Sequence, residues 1–368
     1  METARIAVFA GDGIGPEVTG EARAVLEQCA PRFGLPLEFT AGLIGGGAID
    51  RDGIPLPAAS LELARHSDAI LLGAVGGPQW DNPQSTVRPE QALLGLRRGL
   101  GLFANLRPIV AHPRLIDAAP LRRELLEGVD ILFVRELTGG VYFGQPSERR
   151  TGPDGREAVD TTVYSEGEIA RVTRLAFQLA QRRRRRVTQV DKANILATSR
   201  LWREVTHEIA GEFPDVTCED VLVDAMSMHL LRRPRDFDVV VTENMFGDIL
   251  TDEASVLTGS LGMLPSASVG DAINRQGGRV GLYEPIHGSA PDIAGRDLAN
   301  PLGAILSSAM LLEYSLGATV AARAIEAAVG VVLDQGLRTA DVRQDGCTIV
   351  GCRAMGEAVR RALSDVTT

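Results

Sequence analysis

Apolar residues along this chain occur either in short uninterrupted runs or in longer stretches with helical spacing. Residues 5–10, 68–75 and 239–242 form runs of aliphatic and β-branched side chains, which predict buried strands. Residues 16–28 and 165–181 follow the period of a helix instead. Because strands and helices alternate, the pattern predicts repeated β-α-β units and a largely parallel sheet in an α/β fold.

The first predicted strand ends in a glycine-rich turn, GDGIG at residues 11–15, and Pro16 opens the following helix. A strand, a glycine-rich turn and a helix N-terminus together indicate a nucleotide site. The standard dinucleotide fingerprint fails, because proline occupies the place of its third glycine and no acidic residue follows the second strand at the expected distance. A plain tight turn is the alternative interpretation.

Residues 239–253 place two carboxylates at the start of a helix. After the strand at 239–242 the spacing becomes helical, so that Asp248 and Asp252 lie four apart on one face. Carboxylates this close repel each other unless a positive charge lies between them. A hard divalent cation, Mg²⁺ or Mn²⁺, would supply it, whereas a solvated acidic helix start is the alternative.

Three arginines lie in or beside apolar segments. Arg107 and Arg135 fall in the predicted strands 102–110 and 131–137, and Arg97 falls in the helix before them. Burying an unpaired guanidinium is costly. Each arginine therefore needs an anionic partner, either a structural carboxylate or an anionic substrate held in a planar, bidentate manner.

Further candidate residues follow in the second half of the chain. Tyr142 comes after a pair of glycines, Lys192 follows a strand and is a candidate general base, and Asp224 is a third acidic candidate. Residues 145–164 are polar with a turn at 152–155, which predicts a projecting β-hairpin that a partner subunit would support.

The last part of the chain divides into a loop and a helical region. Residues 281–295 are too apolar for a linker, and their Pro, Gly and His content suits a fixed ligand loop. The remainder predicts mostly amphipathic helices with alanine-rich packing faces.

Composition narrows the class of protein. A chain of 368 residues with 45% hydrophobic and only 4% aromatic residues is long enough for two domains and typical of an α/β enzyme. Four scattered cysteines without a Cys-x-x-Cys pair indicate reduced thiols and no structural zinc. Neither a signal sequence nor a membrane-length apolar run is found, which predicts a cytoplasmic protein without a membrane partner.

The net charge of −10 argues against non-specific nucleic-acid binding. The five consecutive arginines at 182–186 complement the dipole of the helix that they follow. An RNA-binding role for this run is the alternative.

Five motifs carry a resemblance to one family. They are FANLRP at 103–108, VRELTGG at 134–140, DKAN at 191–194, NMFGDILTDEAS at 244–255 and EPIHGSAPD at 284–292. With them, nearly the whole chain resembles the isocitrate/isopropylmalate dehydrogenase family of β-hydroxyacid oxidative decarboxylases.

The resemblance implies NAD-dependent oxidative decarboxylation of 3-isopropylmalate in leucine biosynthesis, with Mg²⁺ or Mn²⁺ as cofactor. It implies that Tyr142 protonates the enolate and that Lys192 is the base at the 2-hydroxyl. The implied metal ligands are Asp224, Asp248 and Asp252. The implied substrate-binding residues are Arg97, Arg107, Arg135, Asp224, Glu90, Leu93 and Leu94. Lys192 and Asp224 would come from the second subunit of a homodimer with shared active sites.

Substrate and cofactor choice follow from a few of these positions. Leu93 and Leu94 would form an apolar wall for the isopropyl group, and Glu90 would repel a third carboxylate; if both leucines are core residues, a related 3-alkylmalate, D-malate or tartrate stays open. Asp292, followed by Ile293, would bind the ribose diol and favour NAD over NADP. The other implied cofactor-binding residues are Ile14, Gly76, His287, Gly288, Ser289, Ala290, Pro291 and Asn300. His287 has a loop-fixing role as its alternative.

The implied fold has two α/β domains, residues 1–102 with 259–368 and residues 103–258, with substrate and metal in the cleft between them. It is not a Rossmann fold, in agreement with the failed fingerprint. A nicotinamide-independent metal lyase is the rival enzyme class.

Overall fold

The computed structural model describes residues 2–82 and 85–365 of the chain. The strands are β1 (Ala4–Gly11), β2 (Leu37–Ala41), β3 (Ala69–Ala74), β4 (Leu102–Val110), β5 (Asp130–Glu136), β6 (Glu148–Gly152), β7 (Gly155–Val159), β8 (Arg186–Asp191), β9 (Thr217–Leu222), β10 (Val239–Thr242), β11 (Pro265–Ile273), β12 (Arg279–Pro285), β13 (Leu337–Arg338) and β14 (Thr348–Ile349). The helices are α1 (Gly15–Arg32), α2 (Gly46–Asp52), α3 (Ala58–Arg65), α4 (Gln91–Gly99), α5 (Arg123–Leu126), α6 (Glu166–Gln181), α7 (Ala197–Ala210), α8 (Val223–Arg232), α9 (Asn244–Ser255), α10 (Leu302–Tyr314), α11 (Thr319–Asp334) and α12 (Cys352–Asp365).

The chain forms two compact units. The first comprises Met1–Leu102, His112–Pro120 and Thr258–Thr368, and the second comprises Phe103–Ala111 and Leu121–Leu257. The sequence analysis assigned residues 112–120 to the second domain. They lie in the first unit, where Arg114 donates a hydrogen bond to Asp334 over 2.6 Å and its carbonyl accepts one from Arg338 over 3.0 Å. Whether the units fold as independent domains stays a prediction.

In the first unit the strands lie in the order β2-β1-β3-β12-β11. Neighbours are parallel except β11, which runs antiparallel to β12. Phe9, Ile70, Leu72 and Leu96 belong to a fully buried core on this sheet. The mixed sheet confirms the α/β prediction, and its order differs from the 3-2-1-4-5-6 order of the dinucleotide-binding fold.

The C-terminal helices pack on this unit in two different ways. Helix α12 is amphipathic as predicted, with Met355 and Val359 buried. Helix α10 is the exception, because it buries nearly every side chain from Leu302 to Leu312. The reason is that α10 packs against α1, α11 and the strands β11 and β12, so that little of its surface reaches water. Among the described helices, none combines the length and the apolar composition needed to cross a membrane.

In the second unit the order is β4-β5-β10-β8-β9, with β4 antiparallel to β5 and the other pairs parallel. Thr242 at the end of β10 is level with Arg135 on β5 and with Val190 on β8. The carboxyl ends of these parallel strands therefore meet at one edge, which is where ligand sites form in sheets of this kind. This edge receives the residues that follow β5, β8 and β10.

Two local predictions for this unit are confirmed. Ser165 caps α6 in a capping box with Glu168, in which each side chain satisfies the other residue's backbone N–H. Residues 145–164 contain the hairpin β6–β7, with Gly152 opposite Gly155 at its turn.

The run of arginines at 182–186 ties the amino ends of three strands together. Arg183 donates hydrogen bonds to Asp238 and to Asp130, each over 2.8 Å, and the Arg186 N–H donates to Asp238 over 3.3 Å. Asp238 is only 1% exposed, so its carboxylate oxygens rely on these donors for their hydrogen bonds. Arg182 alone occupies the C-terminal cap of α6, where the helix dipole favours a cation.

We expect Arg183→Ala to lower the free energy of unfolding by about 2 kcal/mol, because Asp238 stays buried after losing a charge-assisted partner. Urea unfolding followed by circular dichroism measures the change. Arg182→Ala is the matched control: its exposed side chain makes no hydrogen bond or ion pair with any described residue, and its effect should stay within about 0.5 kcal/mol. Equal losses in the two variants would contradict the role of Arg183.

Candidate active site

Helix α9 places the two predicted carboxylates. The four residues of β10 are fully buried, and Glu243 after them accepts a hydrogen bond of 2.6 Å from the Phe246 N–H, which caps the helix at Asn244. Burial raises the pKa of the Glu243 carboxyl. The strand thus ends where predicted, and the helix carries Asp248 and Asp252 four residues apart.

Both strand arginines of the second unit meet these carboxylates. Arg135 donates a short hydrogen bond to Asp248, and Arg107 lies 3.8 Å from Asp248 and 3.4 Å from Asp252. The arginine side chains are 10% exposed (Arg107) and 5% exposed (Arg135), whereas the aspartates are 36% (Asp248) and 69% (Asp252) exposed. Buried guanidiniums therefore lie beneath carboxylates that reach solvent.

Tyr142 completes this group. Its hydroxyl donates to the second oxygen of Asp248 over 2.9 Å, and the Arg135 guanidinium lies 5.9 Å from its ring centroid. Partial burial, followed by the hydrogen bond to Asp248, raises the pKa of the phenol. Because half of the residue is exposed, the protonated hydroxyl is accessible as an acid.

Three polar residues that the sequence analysis did not single out hold the arginines. Arg107 donates to Asn105 and to Thr251, each over 2.7 Å. Arg135 donates to Asn244 over 2.8 and 3.1 Å. Asn105 lies in the motif FANLRP, and Asn244 and Thr251 lie in the motif NMFGDILTDEAS. Their positions near the charged residues of these motifs were the sequence signal that could have identified them.

Lys192 and Asp224 form a separate pair in the second unit. The lysine donates to Asp224 over 2.7 Å, and this hydrogen bond lowers the pKa of the Asp224 carboxyl. Asp191 fixes the segment that begins with Lys192 by pairing with Arg203 through two hydrogen bonds of 2.8 Å. The side chain of Asp224 is 63% exposed.

The three predicted metal ligands do not converge within one chain. Among the described residues, the acidic, His and Cys groups with three ligand atoms within 4.8 Å of one another comprise only Glu17, Asp297 and Cys352 in the first unit. Asp248 and Asp252 offer two oxygen-bearing groups on one helix face. Hard divalent cations prefer such oxygen donors, and the pair fits an ion that takes its remaining ligands from elsewhere.

In the first unit, Arg97 forms an ion pair with Glu284 over 3.0 Å. Arg97 belongs to the first unit, whereas Arg107 and Arg135 belong to the second. Glu90 lies at the N-cap of α4. Leu93 packs against the hydrophobic core, in line with its alternative as a core residue, whereas Leu94 is 42% exposed.

The glycine-rich turn of the first unit brings several predicted cofactor-binding residues together. Ile14 donates its N–H to the Ser289 carbonyl over 2.8 Å. Gly13 has φ +57°, and a Cβ there would lie 2.0 Å from the same carbonyl, so only glycine fits. Asp12, which the sequence analysis passed over, accepts the Gly76 N–H over 2.9 Å.

Asp12 also accepts the N–H groups of Gly46 and Gly47 over 2.8 and 3.0 Å. One buried carboxylate therefore orders the first turn, the start of α2 and the loop after β3. Asp12 is the lone acidic residue of the glycine-rich turn, and this position was the sequence signal that could have identified its role.

The loop after β12 presents a mixture of exposed and buried groups. Gly288, Pro291 and Asp292 are exposed. The neutral His287 ring donates from Nδ1 to the Gly288 carbonyl over 2.9 Å, and its buried Nε2 has no hydrogen-bond partner among the described residues. An unsatisfied buried acceptor is an observation that a ligand donor would explain.

Two further predicted cofactor-binding residues have structural contacts in this loop region. Asn300 donates to Asp341 over 3.0 Å and accepts the Leu302 N–H over 3.0 Å, which orders the start of α10. Ala290 adopts φ +38°. Ile293 is partly buried.

His287 generates a pH prediction. Burial lowers the pKa of its ring below the ordinary 6.5, so the folded ring stays neutral while the unfolded chain takes up a proton. The unfolded state then binds more protons, and stability falls as the pH falls through about 6.5. We expect His287→Asn, which retains a donor toward Gly288, to show a smaller drop in thermal midpoint between pH 7.5 and 5.5.

The control is His66→Gln, because the His66 side chain is 74% exposed. This variant should follow the pH dependence of the unaltered chain. A His287→Asn variant with an undiminished drop would show that another group causes the loss.

Comparison with known proteins finds similarity along nearly the whole chain. Residues 5–359 match the model of the family described as isocitrate/isopropylmalate dehydrogenase. A 3-isopropylmalate dehydrogenase from Geobacillus kaustophilus is 56% identical over 367 residues, covering 100% of this chain and 97% of the relative. Another, from Gloeobacter violaceus, is 57% identical and covers 97% of this chain and 98% of the relative.

Two solved structures are similar in fold to this chain over nearly its whole length. A crystal structure of isocitrate dehydrogenase from Methylococcus capsulatus has a TM-score of 0.84 at 35% identity and covers 98% of this chain and 99% of that one. A β-decarboxylating dehydrogenase from Thermococcus kodakarensis has a TM-score of 0.79 at 36% identity, covering 99% of this chain and 97% of that one.

Proposed function

This chain belongs to the isocitrate/isopropylmalate dehydrogenase family, and we propose that it catalyses the NAD-dependent oxidative decarboxylation of (2R,3S)-3-isopropylmalate to 4-methyl-2-oxopentanoate and CO₂, in leucine biosynthesis. The observation that carries the proposal is the group of Arg107, Arg135, Tyr142, Asp248 and Asp252 at the carboxyl edge of the second unit's strands. It combines anion-binding guanidiniums, an acid and oxygen ligands. Relatives more than half identical over their length carry the name of this enzyme.

The arginines are proposed to bind the carboxylates of the malate moiety. Arg107 and Arg135 are nearly buried and are oriented by neutral oxygen atoms of Asn105, Thr251 and Asn244. A guanidinium held in this way loses little further freedom when it binds a carboxylate. Arg97 is proposed to contribute from the first unit, where Glu284 holds it.

The carboxylates of Asp248 and Asp252 are proposed to bind Mg²⁺ or Mn²⁺, with Asp224 of a second subunit. When bound, such an ion supplies Lewis-acid stabilisation of negative charge on a substrate oxygen. The support is chemical: two carboxylates on one helix face, one of them largely exposed, form an all-oxygen donor set.

Proton transfer is assigned to two residues. Tyr142 is the proposed acid, because its phenol is protonated and reachable from solvent. Lys192 is the proposed base at the 2-hydroxyl, with Asp224 accepting its hydrogen bond and orienting the amine. The oxidation itself requires a hydride acceptor, which NAD⁺ supplies.

The cofactor assignment rests on the first unit. Ile14, Gly76 and Ser289 are joined by the first turn, and the orphaned Nε2 of His287 offers an acceptor to a ligand donor. The exposed carboxylate of Asp292 suits the ribose diol of NAD and opposes a 2′-phosphate. These features fit NAD.

A homodimer is proposed because the helices α8 and α9, which pack on each other, leave apolar side chains uncovered. Met228 and Leu231 on α8 are 54% and 41% exposed, and Ile249 on α9 is 59% exposed. Exposed apolar patches mark interaction sites in proteins of this kind when they are contiguous, and a second copy would cover these side chains. A second copy would also supply Lys192 and Asp224.

The substrate assignment predicts a ranking of rates. With NAD⁺ and Mg²⁺, we expect NADH absorbance to appear with 3-isopropylmalate at a kcat/KM at least about tenfold above D-malate, tartrate or isocitrate, since an apolar wall discriminates by about 1–3 kcal/mol. Leu93 packs against the core, which leaves Leu94 as the exposed part of the predicted wall, and a related 3-alkylmalate, D-malate or tartrate stays the alternative substrate. A higher kcat/KM with D-malate would therefore replace the proposed substrate. NADH formation from none of the acids would exclude the dehydrogenase assignment.

Shared active sites predict complementation between inactive subunits. Tyr142→Phe and Lys192→Met should each abolish most turnover, because each removes one proton-transfer group. When the two variants are mixed and allowed to exchange subunits, half of the dimers are mixed and each has one intact site, so about a quarter of full activity should return.

The control for complementation is a mixture of Tyr142→Phe with the double variant of both residues, which has no intact site in any combination. Activity that stays absent in the first mixture, despite subunit exchange shown by differently tagged chains, would place both residues in the site of a single chain.

A further inference from the structure

Asn244 is a buried, neutral residue at the start of α9 and one of the side chains that orient Arg135. It is 1% exposed. Its Oδ1 accepts hydrogen bonds from Nε and Nη2 of Arg135 over 3.1 and 2.8 Å, and its Nδ2 donates to the Gly139 carbonyl over 3.3 Å. Because a guanidinium only donates and a carbonyl only accepts, this orientation of the amide is the only one that satisfies both partners.

The hydrogen bonds of Arg135 can be counted edge by edge. A guanidinium has five N–H groups in a fixed plane. Asn244 takes two of them along the Nε–Nη2 edge, and Asp248 takes one on Nη1. One N–H on each terminal nitrogen remains, and a carboxylate can accept hydrogen bonds from such groups.

We propose that Asn244 is a positioning residue for substrate binding, which holds one edge of Arg135 so that two terminal N–H groups stay available to a substrate carboxylate. The same amide also fixes the loop that carries Tyr142, since Gly139 lies three residues before it. This inference rests on the proposed function of Arg135 as a carboxylate-binding residue.

The backbone around Asn244 is itself held in place. Its N–H donates to the hydroxyl oxygen of Tyr164 over 2.9 Å, and that hydroxyl donates to Glu243 over 3.1 Å. The Tyr164 ring packs edge-on against Trp202 with centroids 5.4 Å apart. The backbone of Asn244 is thus held by its own contacts. A substitution of the Asn244 side chain should therefore affect Arg135 more than the start of α9.

Two substitutions separate the functions of the amide. Asn244→Ala removes the acceptor, so that Arg135 keeps Asp248 as its only described polar partner and is free to turn toward it. Asn244→Asp keeps the shape but adds a negative charge that competes with the substrate for Arg135 and cannot donate to Gly139. Being nearly isosteric, it is the variant expected to fold if the alanine variant does not.

The experiment measures the KM of the enzyme for 3-isopropylmalate and its KM for NAD⁺. We expect both Asn244 variants to raise the KM for 3-isopropylmalate at least about tenfold, as expected for the loss of a positioned charge-assisted bond, while the KM for NAD⁺ stays within about twofold because Asn244 has no proposed NAD⁺ contact. A merely structural role would lower thermal stability and leave the KM for the acid unchanged. Ser165→Ala is the control: it removes the α6 cap in the same unit, lowers the thermal stability and should change neither KM.

Folded Asn244→Asp protein with an unchanged KM for the acid overturns the inference while leaving the proposed function intact. If the unaltered enzyme oxidises a different acid of the panel, the same comparison is made with that acid, which separates a wrong substrate from a wrong role for Asn244. An enzyme that oxidises none of them overturns both.

Discussion

Two guanidiniums buried at the carboxyl edge of a sheet must be neutralised and hydrogen-bonded, and the second unit is arranged around that requirement. Leaving either without partners would cost several kcal/mol. Asp248 and Asp252 on α9 supply the opposite charge, and the neutral oxygens of neighbouring side chains supply the remaining hydrogen bonds to Arg107 and Arg135. The parallel register of β5, β8 and β10 brings these groups to one edge.

The same requirement explains why the site suits a dicarboxylic acid. The arginines are rigid and nearly buried, whereas the aspartates beside them are more exposed. If the aspartates bind the proposed metal ion, a substrate with carboxylates would supply the anions that the arginines then need. Tyr142 is held by Asp248 and lies over Arg135, so the proposed acid stands next to the proposed anion-binding group.

A different constraint applies in the first unit, where the backbone of the glycine-rich turn lies very close to the backbone of Ser289. Gly13 cannot carry a side chain because the Ser289 carbonyl occupies the space, and Asp12 collects N–H groups from three segments that are distant in sequence. A turn fixed by these contacts does not need the standard dinucleotide fingerprint. It accounts for a proposed nucleotide site outside the Rossmann pattern.

The sequence by itself determined the elements and the candidate residues, because hydrophobic period and turn chemistry are local properties. The strand at 239–242, the capped helix after Ser165 and the hairpin turn at Gly152 all follow from neighbouring residues, and the motifs around Arg107 and Asp248 predicted a site that stays a proposal. Only the tertiary structure decided the partners. In the folded chain Asn244 accepts hydrogen bonds from Arg135, Asp12 accepts one from Gly76, and Asp238 accepts one from Arg183. Helix α10 is buried on all sides. Each of these features depends on which distant segments pack together, and no local pattern encodes that choice.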